Sequence, residues 1–240
     1  MYQANLVLLI ILISISTGMG SNSTTTISTT TTTTAPLSPC TYCRTKACRC
    51  STNNEILNCS SYLLNLTYAS DCTDIQIWPT IDFSFRNLEY FDGIHLLSLR
   101  TQHLFLQSNS ISRIYANAFD SIADILLELD LQMNLLSSLS SQWLNSNFLQ
   151  LKILNFAYNQ LETLHDLQYV DLPNLQQLNL SRNQIEIFPY EINQWTSLTK
   201  LDLSFNKLST VPRFALINLQ KLTWLSLAYN RHLHCKNSIE

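Results

Sequence analysis

The side chains able to form covalent bonds or hold a metal are crowded into one stretch. Six of the seven cysteines, Cys40, Cys43, Cys48, Cys50, Cys59 and Cys72, lie close together, and Cys235 stands alone near the other end. In a reducing compartment such a cluster reads as a zinc site, and in an oxidising one as a disulfide framework. The first twenty residues bear on the choice. The apolar run Leu6–Ile15 suits the core of a secretory signal peptide and is short of the ~20 residues a membrane-spanning helix needs. Gly18 and Gly20 sit at small-residue positions, so cleavage is expected after Gly20. The n-region lacks Lys and Arg, and an uncleaved membrane anchor is the alternative. Behind a leader, the cysteines read as disulfides, although six of them allow many connectivities.

Other chemistry is sparse. Past Gly20 the chain keeps one glycine, Gly93, which excludes glycine-rich phosphate loops, dinucleotide fingerprints and the G-x-S-x-G elbow. None of His95, His103, His165, His232 and His234 has metal-ligand spacing. No carboxylate pair is placed for acid–base work, so no catalytic residue, metal site or small-molecule cofactor is assigned. The net charge is −3, without a basic stretch, which argues against nucleic acid as a partner. Four sequons, at Asn22, Asn58, Asn65 and Asn179, are candidate N-glycan sites in a secreted chain. Cys59 is the middle residue of the second.

What must position these groups is a repeat. The phrase LTKLDLSFNKL (Leu198–Leu208) has leucine at positions one, four, six and eleven and asparagine at nine. It recurs as LQQLNLSRNQI (175–185), LKILNFAYNQL (151–161) and LLELDLQMNLL (126–136), more loosely as TQHLFLQSNSI (101–111) and LTWLSLAYNRH (222–232), and in degraded form as WPTIDFSFRNL (78–88). Position four falls at Ile81, Leu104, Leu129, Leu154, Leu178, Leu201 and Leu225, in steps of 23, 25, 25, 24, 23 and 24 residues. A period in this range with L-x-x-L-x-L-x-x-N-x-L is the signature of leucine-rich repeats. Positions three to five should form a short strand whose leucine points inward. One coil cannot bury that face alone, so neighbours must stack. The asparagines Asn109, Asn134, Asn159, Asn183, Asn206 and Asn230 carry both donors and an acceptor for backbone groups where the chain leaves the strand.

Cys43-x4-Cys48-x-Cys50-x8-Cys59 resembles the N-terminal cysteine cap of extracellular leucine-rich-repeat proteins. The 23–25-residue repeats, without G-x-I-P, resemble the typical animal class. This resemblance implies Cys43–Cys50 and Cys48–Cys59 pairs, with Cys40–Cys72 as an extra pair beyond the four-cysteine pattern. Cys235 resembles the first cysteine of a C-terminal cap whose other cysteines are missing, which implies an unpaired thiol, an intermolecular bridge or a chain that continues. The resemblance also places positions three, five, seven and eight on a concave ligand-binding face. Among these positions Phe105, Met133, Tyr158, Arg182, Lys200, Phe205, Trp224 and Tyr229 match the aromatic and charged composition of binding hot spots.

The expected architecture is an α/β repeat: a leucine-rich-repeat solenoid with a curved parallel β ladder on its concave face and irregular or short helical turns on its convex side. Its expected segments are a signal peptide (1–20), a Ser/Thr-rich spacer (21–39), a cysteine-rich cap (40–74), about seven repeats (75–233) and a cap remnant (234–240). In the spacer, thirteen of nineteen residues are Ser or Thr, leaving little apolar surface to offset ordering entropy and suiting a mucin-like stalk. The expected function is a secreted or cell-surface, non-catalytic module that binds an extracellular protein ligand or receptor. The alternatives are the ectodomain of a membrane receptor and a structural matrix glycoprotein. The chain would meet a membrane only if it continues or its leader is uncleaved.

Overall fold

The computed structural model describes residues 48–50, 56–59, 77–96 and 99–233. Strands β1 (Cys48–Cys50) and β2 (Ile56–Cys59) are antiparallel, with Cys48 opposite Cys59. From β2 onward the sheet is a parallel ladder, starting with β3 (Ile77–Asp82). Strands β4 (Tyr90–Phe91) and β6 (Arg113–Ile114) form a separate parallel pair across the first coils. The main ladder continues through β5 (Arg100–Phe105), β7 (Glu128–Asp130), β8 (Ile153–Asn155), β9 (Gln177–Asn179), β10 (Lys200–Asp202) and β11 (Trp224–Ser226). Register is held at position four throughout: Leu104 pairs with Leu129, Leu129 with Leu154, Leu154 with Leu178, Leu178 with Leu201 and Leu201 with Leu225.

This is the leucine-rich-repeat solenoid that the spacing predicts. The leucines and apolar substitutes at positions one, four, six and eleven of the four regular copies are all buried, as are Trp78, Ile81 and Phe83 of the first. The return segments close the convex side with aromatic residues: Phe119 touches Phe91, Trp143 and Phe148, with ring centroids 5.2–6.0 Å apart. They contain 3-10 turns at Ile94–Leu96, His165–Leu167 and Tyr190–Gln194. No α-helix occurs among the described residues. A return segment of 12–14 residues that must carry the chain across the convex side and back leaves no room for several α-helical turns at ~1.5 Å per residue. Gly93 has φ +75°, and a Cβ there would lie 1.9 Å from the Ala118 carbonyl oxygen, so the first two coils approach too closely for any side chain at that point.

The asparagines hold the turns together. Asn159 Nδ2 reaches the carbonyls of Leu131, Phe156 and Ala157 at 2.9, 3.1 and 3.3 Å, and its Oδ1 accepts the Leu136 N–H at 3.0 Å. One side chain thus ties its own turn to the turn of the preceding coil. The same pattern recurs at Asn134, Asn183 and Asn206. The first coil has Arg86 in place of asparagine, and there Asn109 Oδ1 accepts two backbone N–H groups, from Arg86 and Leu88.

The leader, the spacer, Asn22, Asn65, Cys40, Cys43, Cys72 and Cys235 lie outside the described residues. Asn159→Ala should strand buried carbonyls and one N–H in two coils at once, at about 1–3 kcal/mol for each group that water cannot reach. Chemical denaturation is the measurement. A midpoint equal to the parent's would remove the asparagine ladder as the turn-fixing device.

Candidate functional site

Two surfaces flank the buried leucines. On the concave sheet, positions three and five alternate with position four and point outward. Position three carries His103, Glu128, Ile153, Gln177, Lys200 and Trp224, graded from half-buried to exposed, with Trp224 at 41%. Position five carries Asp82, Phe105, Asp130, Asn155, Asn179, Asp202 and Ser226, all half-buried. The carboxylate or amide oxygens at Asp82, Asp130, Asn155, Asn179 and Asp202 each accept the N–H two residues on, at 2.9–3.1 Å. These Asx turns end the strand, so the acidic residues at position five have a local structural task. Position seven is divided: Ser84, Ala157, Ser181 and Ser204 are buried, Gln107 and Gln132 are half-buried and Ala228 is exposed, and Gln132 Oε1 accepts the Asn155 Nδ2 of the neighbouring coil at 3.2 Å.

Position eight lies beyond the strand, and its backbone is left-handed in every coil. φ is 56° at Phe85, 55° at Ser108, 54° at Met133, 55° at Tyr158, 55° at Arg182, 53° at Phe205 and 59° at Tyr229. Such φ costs a non-glycine residue roughly 1–2 kcal/mol. The cost is offset by a second hydrogen-bonded ladder in which the N–H at eight, from Phe85 to Phe205, donates to the carbonyl at seven of the next coil, as Met133 does to Ala157 and Arg182 to Ser204, both at 2.9 Å. The left-handed residue turns its asparagine neighbour inward and throws its own side chain outward. The result is a column along the rim of the concave face.

Within that column four side chains touch in sequence. The Arg182 guanidinium lies 4.7 Å from the Tyr158 ring centroid and 3.9 Å from that of Phe205. Phe205 stacks on Tyr229 with centroids 4.1 Å apart and planes 14° from parallel. Met133 lies further along, where its sulfur accepts the Ser108 hydroxyl at 3.6 Å. Of the eight residues singled out in the sequence, Met133, Tyr158, Arg182, Phe205 and Tyr229 therefore belong to the rim. Phe105, Lys200 and Trp224 belong to the sheet.

The sheet also holds a shallow depression of about 260 Å3, bounded by Glu128, Asn155, Gln177, Asn179, Asp202 and Trp224, with Lys200 beside it. Sequence reading passed over this depression, since its floor is made of short amides between longer neighbours. Asp130, two residues along β7 from Glu128, is tuned by burial. Desolvation pushes the Asp130 carboxyl above its ordinary value, with a smaller push from Glu128, against the hydrogen bonds from Gln132 N–H and Asn155 Nδ2. Glu128 itself is 2.9 Å from His103 Nδ1. Among the described residues no group of His, Cys, Asp or Glu could hold a metal ion, and no helix is long and apolar enough to cross a membrane.

Comparison with known proteins agrees with this geometry. Two leucine-rich-repeat family models match residues 125–185 and 197–219. The chain is similar to osteomodulin of Rattus norvegicus, 34% identical over 110 residues, which are 43% of this chain and 24% of osteomodulin. It is also similar to the leucine-rich repeat-containing G-protein coupled receptor 5 of Rattus norvegicus, 35% identical over 133 residues, covering 55% of this chain and 14% of the receptor. The chain thus spans a quarter or less of the length of these relatives. A solved LRR protein of Leptospira interrogans superposes with a TM-score of 0.52 at 23% identity, over 63% of this chain and 43% of that one. The chain carries leucine-rich repeats wound as a parallel β-solenoid.

Asp130→Asn gives a test of the concave electrostatics. A carboxyl with a raised folded-state pKa weighs against the folded state at pH values above that pKa, and the penalty fades as pH falls through it. Asparagine makes the same Asx turn at Asn155 and Asn179. The variant should therefore melt higher than the parent at pH 7, and thermal melts at falling pH should show the gap closing toward pH ~4.

Proposed function

We propose that this chain is a secreted or cell-surface recognition module that binds a protein partner on its concave sheet and the adjoining rim, without catalysis. The observation that carries the reading is the outward set itself. Trp224, Phe205, Tyr229 and Tyr158 stay exposed beside Lys200, Arg182 and the row of Asp and Asn, on a ladder held rigid by two hydrogen-bonded series. Exposed aromatics beside polar groups on a preorganised surface are what protein-binding hot spots need. A leader and a disulfide-stapled cap fit this reading, and the opposition of Cys48 and Cys59 in the β1–β2 pair supports one of the expected disulfides. The relative named as a G-protein coupled receptor favours, as a second reading, a place within a receptor ectodomain. A structural matrix role would instead make self-association the main interaction.

Trp224→Ala in the full chain should weaken capture of its partner from extracellular fluid or cell surfaces by more than ~1 kcal/mol, measured as the affinity of parent and variant for the captured protein. Equal affinity would take the interface off the sheet, to the rim, the convex side or the caps.

The sequon at Asn179 belongs to the same surface. Its Oδ1 accepts the Ser181 N–H at 3.0 Å, and among the described residues no protein acceptor takes its Nδ2, whereas Asn155 Nδ2 is engaged by Asp130 and Gln132. A glycan on Asn179 would sit in the depression and move the partner's contacts outward to the rim. Chain secreted from eukaryotic cells should carry a glycan at Asn179, seen as deamidation of that residue by peptide mass spectrometry after enzymatic deglycosylation. An unmodified Asn179 leaves the depression open to the partner.

A further inference from the structure

The rim carries a cation that is presented rather than paired. The ion pairs among the described residues are Arg100–Asp124, His103–Glu128, His165–Glu191 and Lys207–Glu186. Arg182 is in none of them, and its exposed guanidinium donates no hydrogen bond to a described residue. Its orientation is nevertheless set. Tyr158 covers one face of the guanidinium and Phe205 the other, and Phe205 is backed in turn by Tyr229. Ring contact satisfies the faces of the cation and leaves unused the N–H groups, which lie in its plane and point out from between the rings. A guanidinium held this way has already lost the rotamer freedom that binding would otherwise cost.

We infer that Arg182 is the anchor for a carboxylate of the protein partner, an Asp or Glu side chain flanked by apolar groups that lie on Tyr158, Phe205 and Tyr229. The inference rests on the protein-recognition reading and names the chemistry that the rim selects. A planar fork of donors matches the two oxygens of a carboxylate. Sulfated or phosphorylated polymers offer similar oxygens, but they bring many charges together. The neighbouring sheet presents Glu128, Asp130 and Asp202 against Lys200, and the whole chain is at −3, so a polyanion would be repelled several times more strongly than a single carboxylate.

The test is selection from a display library of random peptides against the purified full chain, followed by affinities for four proteins. Arg182→Gln removes the charge. Arg182→Lys keeps the charge and loses the planar fork. Arg113→Gln removes an equal charge from β6, away from the rim, and Trp224→Ala alters the sheet. All three substituted sites are exposed, and circular dichroism checks that each of the four variants folds. The expected result is a set of binders that share an Asp or Glu next to apolar residues. Their affinity should fall on the order of tenfold or more in both Arg182 variants and hold in Arg113→Gln. Changing the shared acid to Gln or Asn in the peptide should lose the same factor in the parent and little in Arg182→Gln. Binders that depend on Trp224 but not on Arg182 overturn the inference and leave the recognition reading standing. Binders indifferent to both, or no binders, overturn the two together. Displacement of the peptides by heparin at concentrations where poly-glutamate has no effect would identify a sulfated partner instead.

Discussion

A coil that turns every two dozen residues must bring backbone carbonyls into its interior at each turn, where water cannot reach them. Everything else in this solenoid follows from how those groups are satisfied. Strand pairing serves only three residues per coil in β7 to β11, and past the strand the ladder would fail. The buried asparagines extend it. Each binds carbonyls of its own turn and of the preceding one, so neighbouring coils are joined by side chains as well as by sheet. An amide suits this position because it presents donors and an acceptor without a charge, and a charge would cost far more to bury. Asn109 shows the constraint at its limit, since one oxygen there serves two N–H groups because Arg86 cannot contribute an amide.

The rim is a consequence of the same device. The residue before position nine adopts positive φ in all seven coils, Phe85 before Arg86 included, and it then has no interior to enter. The chain tolerates Tyr, Arg, Phe and Met in a conformation better suited to glycine because the N–H at position eight is held by the next coil. Strands in a ladder are about 4.8 Å apart, close to the separation at which rings and guanidinium groups stack. Planar side chains in consecutive coils therefore fall into contact with little further adjustment, as Phe205 and Tyr229 do.

The concave sheet obeys a different rule. Its outward residues at position five serve the Asx turns that end each strand, so they are half-buried and locally engaged, and the acidic member beside Glu128 is held against its preference for solvent. The outward-facing chemistry is thus divided. The sheet supplies a polar depression with Trp224 at one end, and the rim supplies preoriented aromatic and cationic groups.

Repeat spacing by itself determined the fold, the inward leucines and the role of the asparagines, because a periodic pattern constrains the interior of a coil at every turn. The short helical or irregular character of the returns was legible in the sequence, but the convex aromatic contacts were not, since those segments share no period and pack according to the particular neighbours they meet. The spacing also could not separate the rim from the sheet. Position eight is richer in aromatic residues than position five, but composition does not say which surface each faces, and only the positive φ at eight sends its side chains to a different surface. Nor could it show that Tyr158, Arg182, Phe205 and Tyr229 touch. Residues 24, 23 and 24 positions apart in sequence become neighbours only when one coil is laid against the next.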